Sequence, residues 1–307
     1  MIPDEHARDD RRASCAAGSI RPVCPQPLVR LKPLLVLVFA GALIYLALIG
    51  LLWVFQRNLI YLPGMAGPSP AAAGVAGMRE VRVETADGLH LLAWYRAPVV
   101  AEGLTVLYLH GNAGSLAARA FKVQPLLAAG HGVLLLSWRG YGDNPGAPTE
   151  AGLYSDARAA IDYLAEEGVE TGRIALYGES LGSAVAVQMA VEHRFAGLIL
   201  EAPLSSLADV AATHYPFVPV RALLKDRYDS ASKIASVAAP VLILHGLKDR
   251  VVPFRYGEKL YAAAAEPKRL IAFPEGGHEN LHALGAGSAV LEFLEELGGG
   301  TPFSRRR

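Results

Sequence analysis

The stretch Arg173-Ile-Ala-Leu-Tyr-Gly-Glu-Ser-Leu-Gly-Ser-Ala-Val-Ala186 carries the fold. Its apolar start predicts a strand, its small-residue end predicts a helix, and Gly178-Glu-Ser-Leu-Gly182 lies at the turn between them. A serine on so sharp a bend has strained backbone angles, and the residues two before and two after it come close together. Glycine at both positions removes the β-carbons that would clash. The bend lifts the Ser180 hydroxyl above the sheet, where a base can reach it. G-x-S-x-G is weak on its own in a chain with 31 glycines. Between a strand and a helix it marks a nucleophile.

Working outward, candidate partners appear in a telling order. His110-Gly-Asn-Ala-Gly114 closes the apolar strand Leu104–Leu109, upstream of the serine. Asp249 follows the strand Val241–Leu244 in His245-Gly-Leu-Lys-Asp249, and His278 follows the strand Leu270–Phe273 in Pro274-Glu-Gly-Gly-His278. Serine, then acid, then histidine is not the order of the chymotrypsin or subtilisin types. With HGNAG at 110–114, RGYG at 139–142, GESLGS at 178–183 and Phe55-Gln-Arg-Asn-Leu-Ile-Tyr-Leu-Pro63, the chain resembles the α/β-hydrolase superfamily. Within it, the likeness is to small membrane-anchored hydrolase-domain proteins related to serine-aminopeptidase-like hydrolases and protein depalmitoylases. It covers roughly residues 50–297 and is specific for fold and triad but poor for substrate.

The resemblance implies Ser180 as nucleophile, His278 as base and Asp249 as the acid that orients it. It implies an oxyanion hole from the backbone N–H groups of Leu181 and Asn112, with Ala113 as the neighbouring alternative. Asp209, the first aspartate after the preceding strand, is the reserve acid. Among nine histidines, His278 alone falls in a Gly-rich loop after the last strand and beyond the acid. The same stretch, His278-Glu-Asn-Leu-His282, matches the zinc-protease pattern H-E-x-x-H. That chemistry needs the motif inside a long helix, and flanking glycines at 276, 277, 285 and 287 leave room for only a short one. The expected reaction is acyl transfer through an acyl-enzyme, needing no metal and no organic cofactor. A serine peptidase or amidase, or a non-catalytic scaffold on the hydrolase fold, are the alternatives. Arg139 reads as a loop brace, and Glu179 as structural or solvent-facing.

The remaining pattern fits one α/β domain. Val81–Glu84 and Leu89–Trp94 flank Ala86-Asp87-Gly88, a hairpin signal. Short apolar strands then alternate with amphipathic helices, which implies a mostly parallel, two-sided twisted sheet with that hairpin as its antiparallel edge. The expected fold is therefore α/β, of the α/β-hydrolase type, preceded by one transmembrane helix. From Pro33 to Gln56 there is no charged residue, long enough to cross a hydrocarbon core. The division expected is a disordered tail at 1–32, an anchor at 33–56, a linker at 57–77, the catalytic domain at 78–298 and a second disordered tail at 299–307.

Composition agrees with a tethered enzyme. The chain is 52% hydrophobic over 307 residues, and its formal net charge of zero gives no reason to expect nucleic acid as a partner. Cys15 and Cys24 both precede the apolar span, so neither supplies a catalytic thiol or a disulfide within the domain. Arg8, Arg11, Arg12, Arg21, Arg30 and Lys32 precede the span and only Arg57 follows it closely. That bias places the catalytic domain outside the cytoplasm. A cleaved signal peptide is the rival; the span is long and far from the start for one. The partners expected are the membrane, through residues 33–56, and a small-molecule or lipid-like acyl substrate. The apolar run Tyr215–Leu224, in the mixed segment where relatives insert a lid, is a candidate lining for an acyl pocket.

Overall fold

A computed structural model describes residues 31–100 and 103–299. Most of both expected tails, with Cys15, Cys24 and the arginines before Lys32, lies outside the described residues. The chain divides after Leu48 into two compact units. The first ends within α1 (Leu31–Ile60), whose Lys32–Ile60 portion is long and apolar enough to cross a membrane, with a mean hydropathy of 2.8.

The second unit is built on an eight-stranded sheet. Its strands are β1 (Arg79–Glu84), β2 (His90–Arg96), β3 (Thr105–Leu109), β4 (Gly132–Leu136), β5 (Ile174–Glu179), β6 (Gly197–Glu201), β7 (Val241–Gly246) and β8 (Lys268–Phe273). The order across the sheet is β1-β2-β4-β3-β5-β6-β7-β8. The β1–β2 hairpin and the β2–β4 pair are antiparallel, and every other pair is parallel. Edge strand β1 alternates buried Val81 and Val83 with exposed neighbours, as a half-covered strand does, while β3, β4 and β6 are buried throughout.

Two apolar cores explain that difference. On one face Leu153, Ala157 and Leu164 of α3 (Glu150–Glu166) and Val185 and Met189 of α4 (Leu181–Glu192) pack against the sheet. On the other, Val123 and Leu126 of α2 (Ala120–Ala128) meet Val290, Phe293 and Leu294 of α8 (Ala286–Gly298). The buried positions of α8, at Ala286, Val290, Phe293 and Leu294, follow the helical period. Helix α3 starts where Thr149 caps it, its side chain accepting from the Gly152 N–H at 2.9 Å.

The strand order reverses at β3, whose two neighbours are β4 and β5. A crevice opens at the carboxyl ends of strands at such a reversal. It places the 110–114 loop after β3 beside the turn after β5, with Leu109 opposite Gly178 in the ladder.

Residues 57–77, expected as a linker, carry helix, strand and buried side chains. Arg57–Ile60 continue α1, and Leu62–Pro63 pair in parallel with Ala113–Gly114. Tyr61 and Val75 are buried, and the Tyr61 and Tyr228 hydroxyls are 2.9 Å apart. Richness in Gly, Pro and Ala reports an irregular backbone, which this segment has, but irregular backbone packs when its few large side chains reach a core. The helix expected as an anchor at 33–56 runs from Leu31 to Ile60, and its C-terminal extension shows that the single charge of Arg57 interrupts the apolar pattern but not the helix.

Candidate active site

Ser180 sits at the junction of β5 and α4 with φ 50° and ψ −116°. A non-glycine residue there costs on the order of 1–3 kcal/mol, which the surrounding packing must offset. That packing is tight. A β-carbon at Gly178 would lie 2.7 Å from the Gly182 carbonyl oxygen, and one at Gly182 would run into the Leu109 and His110 carbonyls. The Ser180 N–H donates to the Glu201 carbonyl at 2.9 Å, pinning the bend to the end of β6.

Three residues from separate loops meet above this bend. His278 Nε2 is 3.0 Å from Ser180 Oγ, and His278 Nδ1 is 2.8 Å from Asp249 Oδ2. Asp249 Oδ1 accepts the Val251 and Val252 N–H groups, each at 2.8 Å. Burial would push this carboxyl up. Hydrogen bonds from His245 and His278 outweigh it and hold the group well below the usual carboxylate range. The two loops are joined where the Lys248 N–H donates to the Gly276 carbonyl at 2.8 Å, and Asn280 Oδ1 accepts the Gly277 N–H at 2.7 Å.

Leu181 and Asn112 line one cavity together with Ser180. As the first residue of α4, Leu181 has no intrahelical acceptor for its N–H, which lies at the positive end of the helix dipole. Asn112 is fixed by its other groups. Its Nδ2 donates to the Ile60 carbonyl at 2.8 Å, and its carbonyl accepts from the Leu62 N–H at 3.0 Å and the Tyr141 hydroxyl at 2.8 Å. The cavity has a volume of about 440 Å³, and no Asp, Glu, Lys or Arg is among its described lining residues. The run Tyr215–Leu224 contributes to it through Val218, Leu223 and Leu224, beside α5 (Leu207–His214) and α6 (Val220–Leu223).

Beneath the bend lies a charged cluster that the sequence left largely unread. Glu179, next to Ser180, is not solvent-facing. Arg119 grips it through Nε and Nη2 at 3.0 and 3.2 Å, and the Tyr108 hydroxyl donates to it at 2.9 Å. Lys122, buried on α2, bridges Glu179 at 3.3 Å and Glu201 at 2.8 Å, and the Tyr177 hydroxyl bonds Glu201 as well. Burial would raise the Glu179 carboxyl; Lys122 and Arg119 overcome that and lower it. The only sequence signal was position, since Glu179 and Glu201 end adjacent strands.

Other candidates fall elsewhere. Asp209, the reserve acid, lies on α5 and is held by Lys259 and Arg221 at 2.7 and 2.6 Å and by the Ser205 hydroxyl at 2.7 Å. His110 is fully buried, and burial pushes it down to about 3, so it is neutral at the end of β3. Residues 278–281 form no helix, and only His282–Leu284 make a single 3₁₀ turn, so His278 and His282 do not share a helix face as H-E-x-x-H requires. Arg139 braces its loop, pairing with Asp156 and Asp87.

The Asp209 surroundings yield a pH test. Burial opposes ionisation there, but Lys259, Ser205 and Arg221 outweigh it and bring the carboxyl down to about 2. A folded-state value below the unfolded one stabilises the fold above about pH 4, and that contribution is lost as pH falls through the folded value. Asp209→Asn is therefore expected to unfold more easily than wild type at neutral pH, with the gap closing towards about pH 2. Denaturant titrations at both pH values check this, and a pH-independent gap refutes the assignment. Turnover should change only a few fold, in contrast to Asp249→Asn.

A family profile described as the alpha/beta hydrolase fold matches residues 105–231. The alpha/beta hydrolase domain-containing protein WAV2 of Arabidopsis thaliana is 31% identical over 283 residues, covering 82% of this chain and 92% of WAV2. The chain belongs to the α/β-hydrolase family. The uncharacterized protein Rv2307c of Mycobacterium tuberculosis is 47% identical over 262 residues, covering 83% of this chain and 92% of its own. Among solved structures, an esterase of Pyrococcus furiosus shares the α/β-hydrolase fold with a TM-score of 0.63 at 22% identity, covering 78% of this chain and 100% of that one.

Proposed function

We propose that this α/β-hydrolase is a serine hydrolase that cleaves an acyl ester or thioester. The observation that carries the reading is the hydrogen-bonded chain from Ser180 through His278 to Asp249, at 3.0 and 2.8 Å. His278 Nε2 takes the Ser180 proton as Oγ attacks the carbonyl, and Asp249 holds the ring and stabilises the imidazolium that forms. The Leu181 and Asn112 N–H groups receive the developing oxyanion. His278 then protonates the leaving alcohol or thiol, and water resolves the acyl-enzyme. A peptidase that reads a free amino terminus needs a carboxylate to pair with it, and the described residues of the cavity lining offer none. That favours an uncharged acyl group over a peptide.

The apolar span fits a retained anchor rather than a cleaved signal. Its last residues are tied to the domain, Arg57 pairing with Asp226 at 2.8 Å and Gln56 Oε1 accepting the Lys225 N–H at 2.7 Å. The basic flank before it favours an extracytoplasmic catalytic domain. External protease on sealed spheroplasts should then digest the domain, and full protection would reverse the orientation.

The test of the chemistry is labelling of membranes by a short-chain fluorophosphonate. Wild type should label and Ser180→Ala should not. An unlabelled wild type would leave the scaffold reading standing.

A further inference from the structure

One wall of the cavity over Ser180 belongs to the apolar helix itself. Ile49, Leu52, Trp53, Gln56, Leu59 and Ile60 line it. Their spacing of three and four residues puts them on one face of α1. The rest of the lining is mostly apolar, with Val210 on α5 and Leu223 and Leu224 at α6, beside His214 and Tyr215.

A helix that only tethers needs no fixed relation to the loops that do chemistry. This one is clamped. Arg57 holds the buried Asp226, just after α6, through Nε and Nη2 at 2.8 and 3.2 Å. Gln56 is buried although it ends a charge-free run, and its amide receives the Lys225 N–H at 2.7 Å. The Lys225 ammonium lies 3.9 Å from the Trp53 ring centre, a cation–π contact that turns the indole into place. At the helix end, the Ile60 carbonyl and the Leu62 N–H hold Asn112 from both sides, at 2.8 and 3.0 Å. The wall is thus registered against Ser180 through the same loop that carries Asn112.

We propose that residues 49–60 are the substrate-selecting wall of the site and bind a long apolar acyl chain carried by a membrane-resident lipid. The proposal rests on the serine hydrolase reading above. The occupant follows from continuity: one cavity is lined by Ser180, Leu181 and Asn112 together with mostly apolar side chains, and none of the described lining residues is an Asp, Glu, Lys or Arg. At about 440 Å³ it is in the size range of sites for small organic ligands. The wall also ends a helix long and apolar enough to cross a membrane. An acyl chain that already lies in lipid reaches it without first being exposed to water. Each methylene that gains contact with such a wall should raise kcat/KM roughly three- to fourfold.

The experiment uses the full chain in phospholipid vesicles and a long-chain alkyl fluorophosphonate with a diazirine near the chain end. The phosphorus should attach to Ser180, and photolysis followed by peptide mapping should then place cross-links within residues 49–60. Ser180 labelling with cross-links confined to other segments overturns the wall while leaving the hydrolase reading intact. No labelling of Ser180 by this compound or by a short-chain fluorophosphonate overturns both. Leu52→Trp, which fills the wall side, should lower the ratio of dodecanoyl to acetyl p-nitrophenyl ester kcat/KM by about tenfold or more. An unchanged ratio would also count against the wall. The cross-linking arm needs no variant, so a poorly folded Leu52→Trp does not blunt the test.

Discussion

Ester turnover by Ser180→Ala is expected to fall by on the order of 10⁴-fold or more, and His278→Ala should cost about as much. The two act as one unit, because an unactivated hydroxyl and an unpartnered base are equally idle. The double variant should therefore be little worse than either single one. Asp249→Asn should also lose roughly 10⁴-fold, since an amide cannot stabilise the imidazolium and allows the wrong ring tautomer at Nδ1. Its carboxyl is held well below the usual range by His245 and His278 against the cost of burial. Asp249 is thus ionised throughout the neutral range, and loss of activity on mild acidification cannot come from its protonation. Steady-state kinetics on a short-chain ester with purified variants measure all of this. A Ser180→Ala protein within tenfold of wild type would remove Ser180 from the chemistry, and simple multiplication of the single losses would argue that the residues work separately.

What the sequence made legible is local. Gly178 and Gly182 flank Ser180 because the first turn of α4 crowds the one and the Leu109 and His110 carbonyls crowd the other, leaving no room for a β-carbon, and that constraint is written within five residues. The strands were legible because inner strands of a two-sided sheet must be apolar throughout, as β3, β4 and β6 are. That Ser180, Asp249 and His278 meet followed from each lying just past a parallel strand, since such ends gather along one edge of the sheet. Partners that reach a strand end from a distant helix were not legible. Arg119 reaches Glu179 across 60 positions and Lys122 reaches Glu201 across 79, and no period in a single chain announces such pairs. The same limit hid the role of 57–77. Tyr61 is one aromatic in an irregular stretch, and its partner Tyr228 is 167 positions away.

The second large effect lies in that buried cluster. Lys122→Met keeps most of the side-chain stem and removes the ammonium that touches both Glu179 and Glu201. Burial alone would depress this lysine; the two carboxylates overcome it and hold the ammonium charged. Two cations balance two carboxylates in the native cluster, Arg119 and Lys122 against Glu179 and Glu201. Without Lys122, Arg119 still serves Glu179, but among the described residues the fully buried Glu201 keeps only the Tyr177 hydroxyl. Breaking a buried pair on one side costs about 3–5 kcal/mol, because the remaining charge is desolvated without compensation. For a domain of this size that corresponds to a fall in Tm on the order of ten degrees. The loss should reach the nucleophile, since the Glu201 carbonyl accepts the Ser180 N–H and Glu179 is its neighbour. Fluorophosphonate labelling of Ser180 should slow alongside the fall in Tm. Adding Glu201→Gln should recover part of the stability, because the uncompensated charge is then gone. Thermal denaturation of the single and double variants in detergent decides it. A Tm unchanged in Lys122→Met, or a double variant no more stable than the single, would mean that the cluster does not hold the bend in place.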